Sequence, residues 1–303
     1  MESSCTCKGA KFSKNNDGDK MKLETYKSLS EKEKIFKSNG YSKIDTVAEF
    51  DRWYESFPKI DKIYRGVNEA KFKIYTSAQR SYITNDLQTS GKMVENIIEE
   101  ELNQIKTVDD NLLKKYFDLL GVVDYDLIYL SFLQHYSGIS PLIDFSVDID
   151  KSLFFMQDGL FFSKSGDEEI SNYASLYYME SKDESNIDVP NDMTESIIRE
   201  KTTFSTMSLE TEPIIIQSQK YNFGNKSKLS LANLNLVAQE GRFVFYCNDV
   251  KPLEEGIYCV DIHKSLAPYI KRKLEGKGIT KESIYPQEES IAKKALQRAL
   301  ENI

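Results

Sequence analysis

The chain has 303 residues, 40% hydrophobic and 12% aromatic, with a formal net charge of −8. That length suffices for one large domain or two modest ones with a sizeable core. The acidic balance speaks against a broad nucleic-acid footprint, although a local basic groove is compatible with it. Its four cysteines form no disulfide framework, so a reducing, cytoplasmic setting is expected. No segment is apolar enough for a signal peptide or a membrane span.

Residues 1–22 are rich in Ser, Lys, Asn, Asp and Gly and read as disordered. We take 1–45 as a leader and 46–303 as one domain. A short helix is expected over 30–38, with Ser30 and Glu33 as its capping box. Another is expected over 47–57, with Thr46 and Glu49 in that role, ended by Pro58. Lys62–Val67 reads as a short strand into a turn, in which Gly66 lets the backbone approach something that Arg65 also contacts. Arg80 follows in a Tyr-rich segment. Amphipathic helices are expected over 92–106 and 110–120, the second stopped by Gly121.

Residues 125–156 read as two buried helices around a tight polar break, the first capped by Asp124. The break holds Gln134, His135, Tyr136, Ser140 and Asp144, and such side chains need partners if buried. One account is structural: Gln134, His135 and Asp144 satisfy one another and clamp the helices together. Beyond 156 the texture turns strand-like, at 173–179, 213–217, 242–247 and 257–262, and Thr203–Ser208 reads as a polar strand. A final helix is expected after Pro286. Helices first and strands later predict an α+β fold, a helix-rich N-terminal half packed on a mostly antiparallel sheet.

Four motifs now stand in order: Tyr64-Arg65-Gly66; Gln134-His135-Tyr136 through Ser140-Pro141-Leu142-Ile143-Asp144, then Leu153-Phe154-Phe155-Met156; Ala238-Gln239-Glu240-Gly241-Arg242-Phe243; and Leu274, Gly278-Ile279 and Tyr285-Pro286. On these the chain resembles the FRG domain, whose first motif is Phe/Tyr-Arg-Gly, over about residues 46–295. The family's Thr-Arg pair in the second motif is Ser140-Pro141 here, so an arginine is missing, for which Arg80 or Arg242 would have to stand in if it binds an anion. Glu240 stands where Gln is commoner.

The order Arg65, then Ser205 in a Ser-Thr-x segment, then Gln239-Glu240 is also distantly similar to ADP-ribosyltransferases. That likeness implies NAD as cosubstrate, Arg65 on its pyrophosphate, and Glu240 as catalytic carboxylate beside a developing oxocarbenium ion. His135 is the further catalytic candidate. Tyr64, Gly66, Arg80, Gln134, Tyr136, Ser140, Asp144, Ser205 and Gln239 are the expected ligand-binding residues. Two histidines, His135 and His263, exclude a His-rich metal site, and no Walker loop or nucleophile elbow is present. Two readings stand: an ADP-ribosyltransferase or NAD-cleaving effector, of toxin or anti-phage defence type, or a non-catalytic module binding a nucleotide, RNA or protein partner. The first requires Arg65 and Glu240 to converge on one cleft.

Overall fold

The computed structural model describes residues 22–37, 40–119, 126–136, 138–160, 169–181, 186–187, 204–208, 212–216, 234–248 and 250–287. The expected disordered leader tip, the Gly121 stop, the Asp124 cap and the helix after Pro286 lie outside them.

Local signals account for many of the elements. Helix α1 (Leu29–Phe36) begins at Ser28, whose side chain accepts from the Glu31 backbone, two residues before the expected cap. Strand β1 is Tyr41–Ile44, and α2 (Val47–Ser56) carries the full Thr46–Glu49 capping box. Strand β2 is Lys62–Val67. The segment around Arg80 is a helix, α3 (Ser77–Thr84), started by a Thr76–Gln79 capping box. Helix α4 (Val94–Leu119) joins the two expected helices through non-helical backbone at Val108, Asp109, Asp110 and Asn111.

The central stretch departs from expectation. Helix α5 (Asp126–His135) is as foreseen, but the break leads into a strand, β3 (Leu142–Ser146), before α6 (Ile149–Gln157). Leu142, Ile143 and Phe145 are buried on alternating faces, with Leu142 in one core cluster and the other two in a second. A strand buried on both faces has no polar alternation to announce it. Strand β4 (Tyr173–Glu180) and the two-residue β5 (Asn186–Ile187) follow. Residues Phe204–Met207 are a helical turn, α7, where a polar strand was expected; Phe204 and Met207, three apart, both enter the core. The remaining elements are β6 (Ile214–Ile216), α8 (Leu234–Ala238), β7 (Gly241–Phe245), β8 (Tyr258–His263), α9 (Ala267–Glu275) and α10 (Lys281–Ile284).

The fold is α+β. One eight-stranded sheet runs β1-β8-β4-β2-β3-β7-β6-β5, antiparallel except for β1 with β8 and β5 with β6. A core with Tyr26, Phe36, Ile63, Phe145 and Tyr177 covers one face. The other face carries two: α3, α4 and α5 pack on the β3–β7 side, and α2, α6 and α9 on the β4–β8 side. The segment set apart as a leader contributes from Tyr26 onward. The Lys32 ammonium is wholly buried, 2.6 Å from Asp261 Oδ1 and 2.6 Å from Ser175 Oγ. Tyr41 donates to the other Asp261 oxygen at 2.8 Å.

The two halves of the sheet meet at a weak seam. Strands β2 and β4 pair over six positions and β3 and β7 over five, but β2 and β3 meet only at Tyr64–Ser146. Helix α6 lies on β2 beside that seam. Ser152 Oγ donates to the Tyr64 carbonyl at 3.1 Å, and a Cβ on Gly66 would fall 1.9 Å from the Ser152 carbonyl oxygen and 2.4 Å from the Met156 nitrogen. Both obstacles are backbone and cannot step aside by a rotamer change. Gly66→Ala is therefore expected to lose about 3 kcal/mol or more of stability, measured by urea unfolding. Asp261→Ala strands the Lys32 ammonium in the core and is expected to cost about 3–5 kcal/mol in the same assay.

Candidate functional site

A cavity of about 400 Å³ opens at the seam, within the range of small-molecule sites. Strand β2 supplies Tyr64, Arg65, Gly66 and Val67, with Asn68 beyond it; β3 supplies Asp144, Phe145 and Ser146. His135 comes from the end of α5, Ser152 and Phe155 from α6, Gln239 from the turn before β7, and Tyr285 from beyond α10.

Arg65 reaches from one strand to the other. Its Nη1 donates to the Asp144 carbonyl at 2.6 Å, supplying the kind of cross-strand bond that a continued ladder would have made. Among the described residues this is the guanidinium's one hydrogen bond, out of five possible N–H donors. Its Nε is buried without a partner. Burial lowers the Arg65 pKa, and Asp144 opposes that shift; an arginine stays charged nonetheless.

Asp144 is held from the other side. Gln134 Nε2 donates to its Oδ2 at 2.7 Å, while Oδ1 is buried and unpaired. Ser77 of α3 braces the approach, with its Oγ 3.5 Å from Gln134 Oε1 and 3.1 Å from the Ser140 carbonyl. His135 packs against Phe243, ring centroids 5.7 Å apart, and its Nε2 is also buried without a partner. Burial pushes the His135 pKa down and Asp144 partly offsets this, so the imidazole is neutral near pH 7. Three orphaned polar atoms thus sit on three side chains around one cavity. In a buried setting each costs about 1–3 kcal/mol.

The other expected site residues separate into groups. Tyr64, Gly66 and Gln239 line the cavity with Arg65, His135 and Asp144. Tyr64 is also a core ring, packed between Phe57 and Tyr178, and Gln239 donates from Nε2 to the Ile284 carbonyl at 3.2 Å. Gln134 acts through Asp144. Ser140 is a buried clamp, donating to the Leu130 carbonyl at 3.0 Å and accepting from the Leu142 nitrogen at 3.2 Å. Tyr136 is 60% exposed and stacks on Phe132. Arg80, on α3, does not line the cavity, and its Nη1 donates to the Tyr75 carbonyl at 2.7 Å; burial lowers its pKa, Asp144 opposes that shift, and its charge in turn lowers the pKa of Arg65, so it stands within electrostatic reach of both. The Ser205 side chain lies outside the described residues.

Glu240 is not among the lining residues. Its backbone takes a left-handed φ of 47°, and its half-exposed carboxylate pairs with Lys151 at 3.0 Å. The convergence with Arg65 required by the transferase reading is not present. Phe155 and Tyr285, rings 6.0 Å apart and nearly perpendicular, were missed as site residues. Both stand inside motifs quoted above, which was the signal available; nothing local marks them as walls. No group of His, Cys, Asp and Glu suited to a metal occurs among the described residues, and no helix there is long and apolar enough to cross a membrane.

The depressed His135 pKa makes a pH prediction. The unfolded chain protonates this imidazole near the ordinary value of about 6.5, whereas the folded one does so only at lower pH. Stability from neutral His135 is therefore complete above that value and falls as pH drops below it, until the folded pKa is passed. Thermal melts from pH 8 to 5 should show a steeper acid loss in the native protein than in His135→Asn.

No curated protein and no solved structure matches the chain. The family model that does match takes in β2, the helices α3 to α5, β3 and α6, and ends short of the Gln239 and Tyr285 motifs. The chain thus carries, over residues 61–160, a match to the FRG domain, with the Arg65–Asp144 seam inside it.

Proposed function

We propose that the seam cavity binds a small polar ligand of the nucleotide class, and that the chain works as a ligand-binding module rather than through an Arg65–Glu240 pair. The observation that carries this is Arg65: a desolvated guanidinium beside a cavity, with one donor on a backbone carbonyl and no ion-paired carboxylate. Aromatic walls at Phe155 and Tyr285 suit a flat ring. NAD is the first candidate, on the distant likeness to ADP-ribosyltransferases.

A second reading draws on Asp144 and His135. A carboxylate and a neutral imidazole in one cavity make an acid–base pair, and through it NAD cleavage or ADP-ribosyl transfer, and with it an effector role, would run on residues other than Glu240. One experiment addresses both. The full chain is titrated calorimetrically with NAD, ADP-ribose and AMP, then incubated with labelled NAD and cell extract, using the native protein, Arg65→Lys, Asp144→Ala and Glu240→Ala. The binding reading expects saturable binding to the native protein, weakened about tenfold or more in Arg65→Lys, since lysine cannot reproduce the fork, and unchanged in Glu240→Ala. Absence of binding by all three ligands overturns it. NAD turnover lost in Asp144→Ala but kept in Glu240→Ala would establish the second reading, and turnover lost in Glu240→Ala would restore the transferase pair.

A further inference from the structure

A second group of side chains lines the cavity besides those around Arg65: Asn68, Phe155, Gln239 and Tyr285. Its members are joined to one another. The Tyr285 hydroxyl donates to Asp158 Oδ2 at 3.3 Å. Asn68 Nδ2 donates to the carbonyl of the same Asp158 at 3.3 Å and lies 3.4 Å from that of Gly159. Gln239 Nε2 donates at 3.2 Å to the carbonyl of Ile284, the residue before Tyr285. The Phe155 and Tyr285 rings stand 6.0 Å apart in the same wall.

These bonds fix which way both amides face. A backbone carbonyl can only accept, so each amide turns its nitrogen toward it and its oxygen away. Neither Asn68 Oδ1 nor Gln239 Oε1 has a hydrogen bond among the described residues, and neither is among the polar atoms sealed from solvent. Both oxygens are therefore open acceptors on half-buried residues of the cavity wall. The neighbouring hydroxyls add no open donor. Ser146 donates to the Gln239 carbonyl at 2.7 Å, Ser152 to the Tyr64 carbonyl at 3.1 Å, and Tyr285 to Asp158. A guest at this wall must bring a hydrogen-bond donor of its own, and the aromatic rings beside it suit a donor carried on a flat ring.

We propose that Asn68 and Gln239 determine specificity, their side-chain oxygens accepting from an exocyclic amino group on a ring of the adenine type seated against Phe155 and Tyr285. A ring with a carbonyl at that position would bring oxygen against oxygen. The proposal rests on the ligand-binding reading and names the base within the nucleotide class.

Nucleotides that differ at one position test it. AMP carries the amino group, purine riboside monophosphate has hydrogen in its place, and IMP has a carbonyl there. Each is titrated calorimetrically into the full chain, native and with Asn68→Ala or Gln239→Met, and thermal melts verify that both variants are folded. The native protein should bind AMP about tenfold or more tightly than either analogue, because a desolvated acceptor left without its donor is costly. Each variant should reduce that preference by about threefold or more, one of two acceptors having been removed. The ratio between nucleotides cancels any general loss from a loosened wall. Equal binding of AMP and purine riboside monophosphate by the native protein overturns the assignment, as does IMP preferred to AMP, or a preference undiminished in both variants. AMP failing to bind while NAD or ADP-ribose binds overturns it too, and leaves the ligand-binding reading standing. If all of these nucleotides fail, the ligand-binding reading itself falls, and the assignment with it.

Discussion

The backbone of α6 lies on the backbone of β2 at Gly66, and the rest of the site depends on that contact. The helix follows β3 after a two-residue turn capped by Asp148, whose side chain accepts from the Asp150 nitrogen at 2.7 Å. It then folds back over the neighbouring strand rather than over its own. Only a residue without a side chain lets two backbones come so close. Beside this crossing β2 and β3 keep one register pair, and the helical layers on that face form two cores instead of one. The cavity is the space left where the sheet halves and the two cores fail to merge.

In the proposed reading Arg65 does two jobs there with separate atoms. One donor ties β2 to the Asp144 carbonyl and so replaces a missing ladder bond. The others remain for a ligand. A guanidinium suits this because its donors are fixed in a rigid fork and point in different directions. The site leaves buried polar atoms unpaired and so costs stability. The well-satisfied cluster of Lys32, Ser175, Tyr41 and Asp261, on the β4–β8 side of the sheet, does the reverse: its strong bonds are made, and it fastens α1 and β1 to the sheet as structure. The contrast between a closed polar cluster and an open one is what the ligand-binding proposal draws on.

The legible parts of the sequence were those with local causes. The Thr46–Glu49 capping box, the β2 strand with its Arg-Gly pair, and the late strands β4, β7 and β8 came out where neighbouring residues call for them. The misreadings share a reason. Strand β3 lacks alternation because both its faces are buried, so its apolar run matched a helix edge equally well. Phe204–Met207 turned helical because both apolar ends of the segment enter the same core, a tertiary demand that overrides a weak local preference. Glu240 was placed in the cleft on the order of residues shared with ADP-ribosyltransferases, and order along a chain carries no side-chain direction. The left-handed turn at Glu240 sends the two side chains to different partners, Lys151 for one and the Ile284 carbonyl for the other.

By itself the sequence determined the start of α2, an α+β class, the need for a close approach at Gly66, and the set of polar residues from which a site would be built. Those depend on interactions a few residues apart, through caps, periodicity and the absence of a Cβ. Only the tertiary structure decided which of these residues meet. It put Asp144 on the strand next to that of Arg65, brought His135 beside them and Phe155 and Tyr285 around them, and left Glu240 on Lys151. Strand order and the seam between β2 and β3 arise from contacts between segments distant along the chain, and no local pattern encodes them.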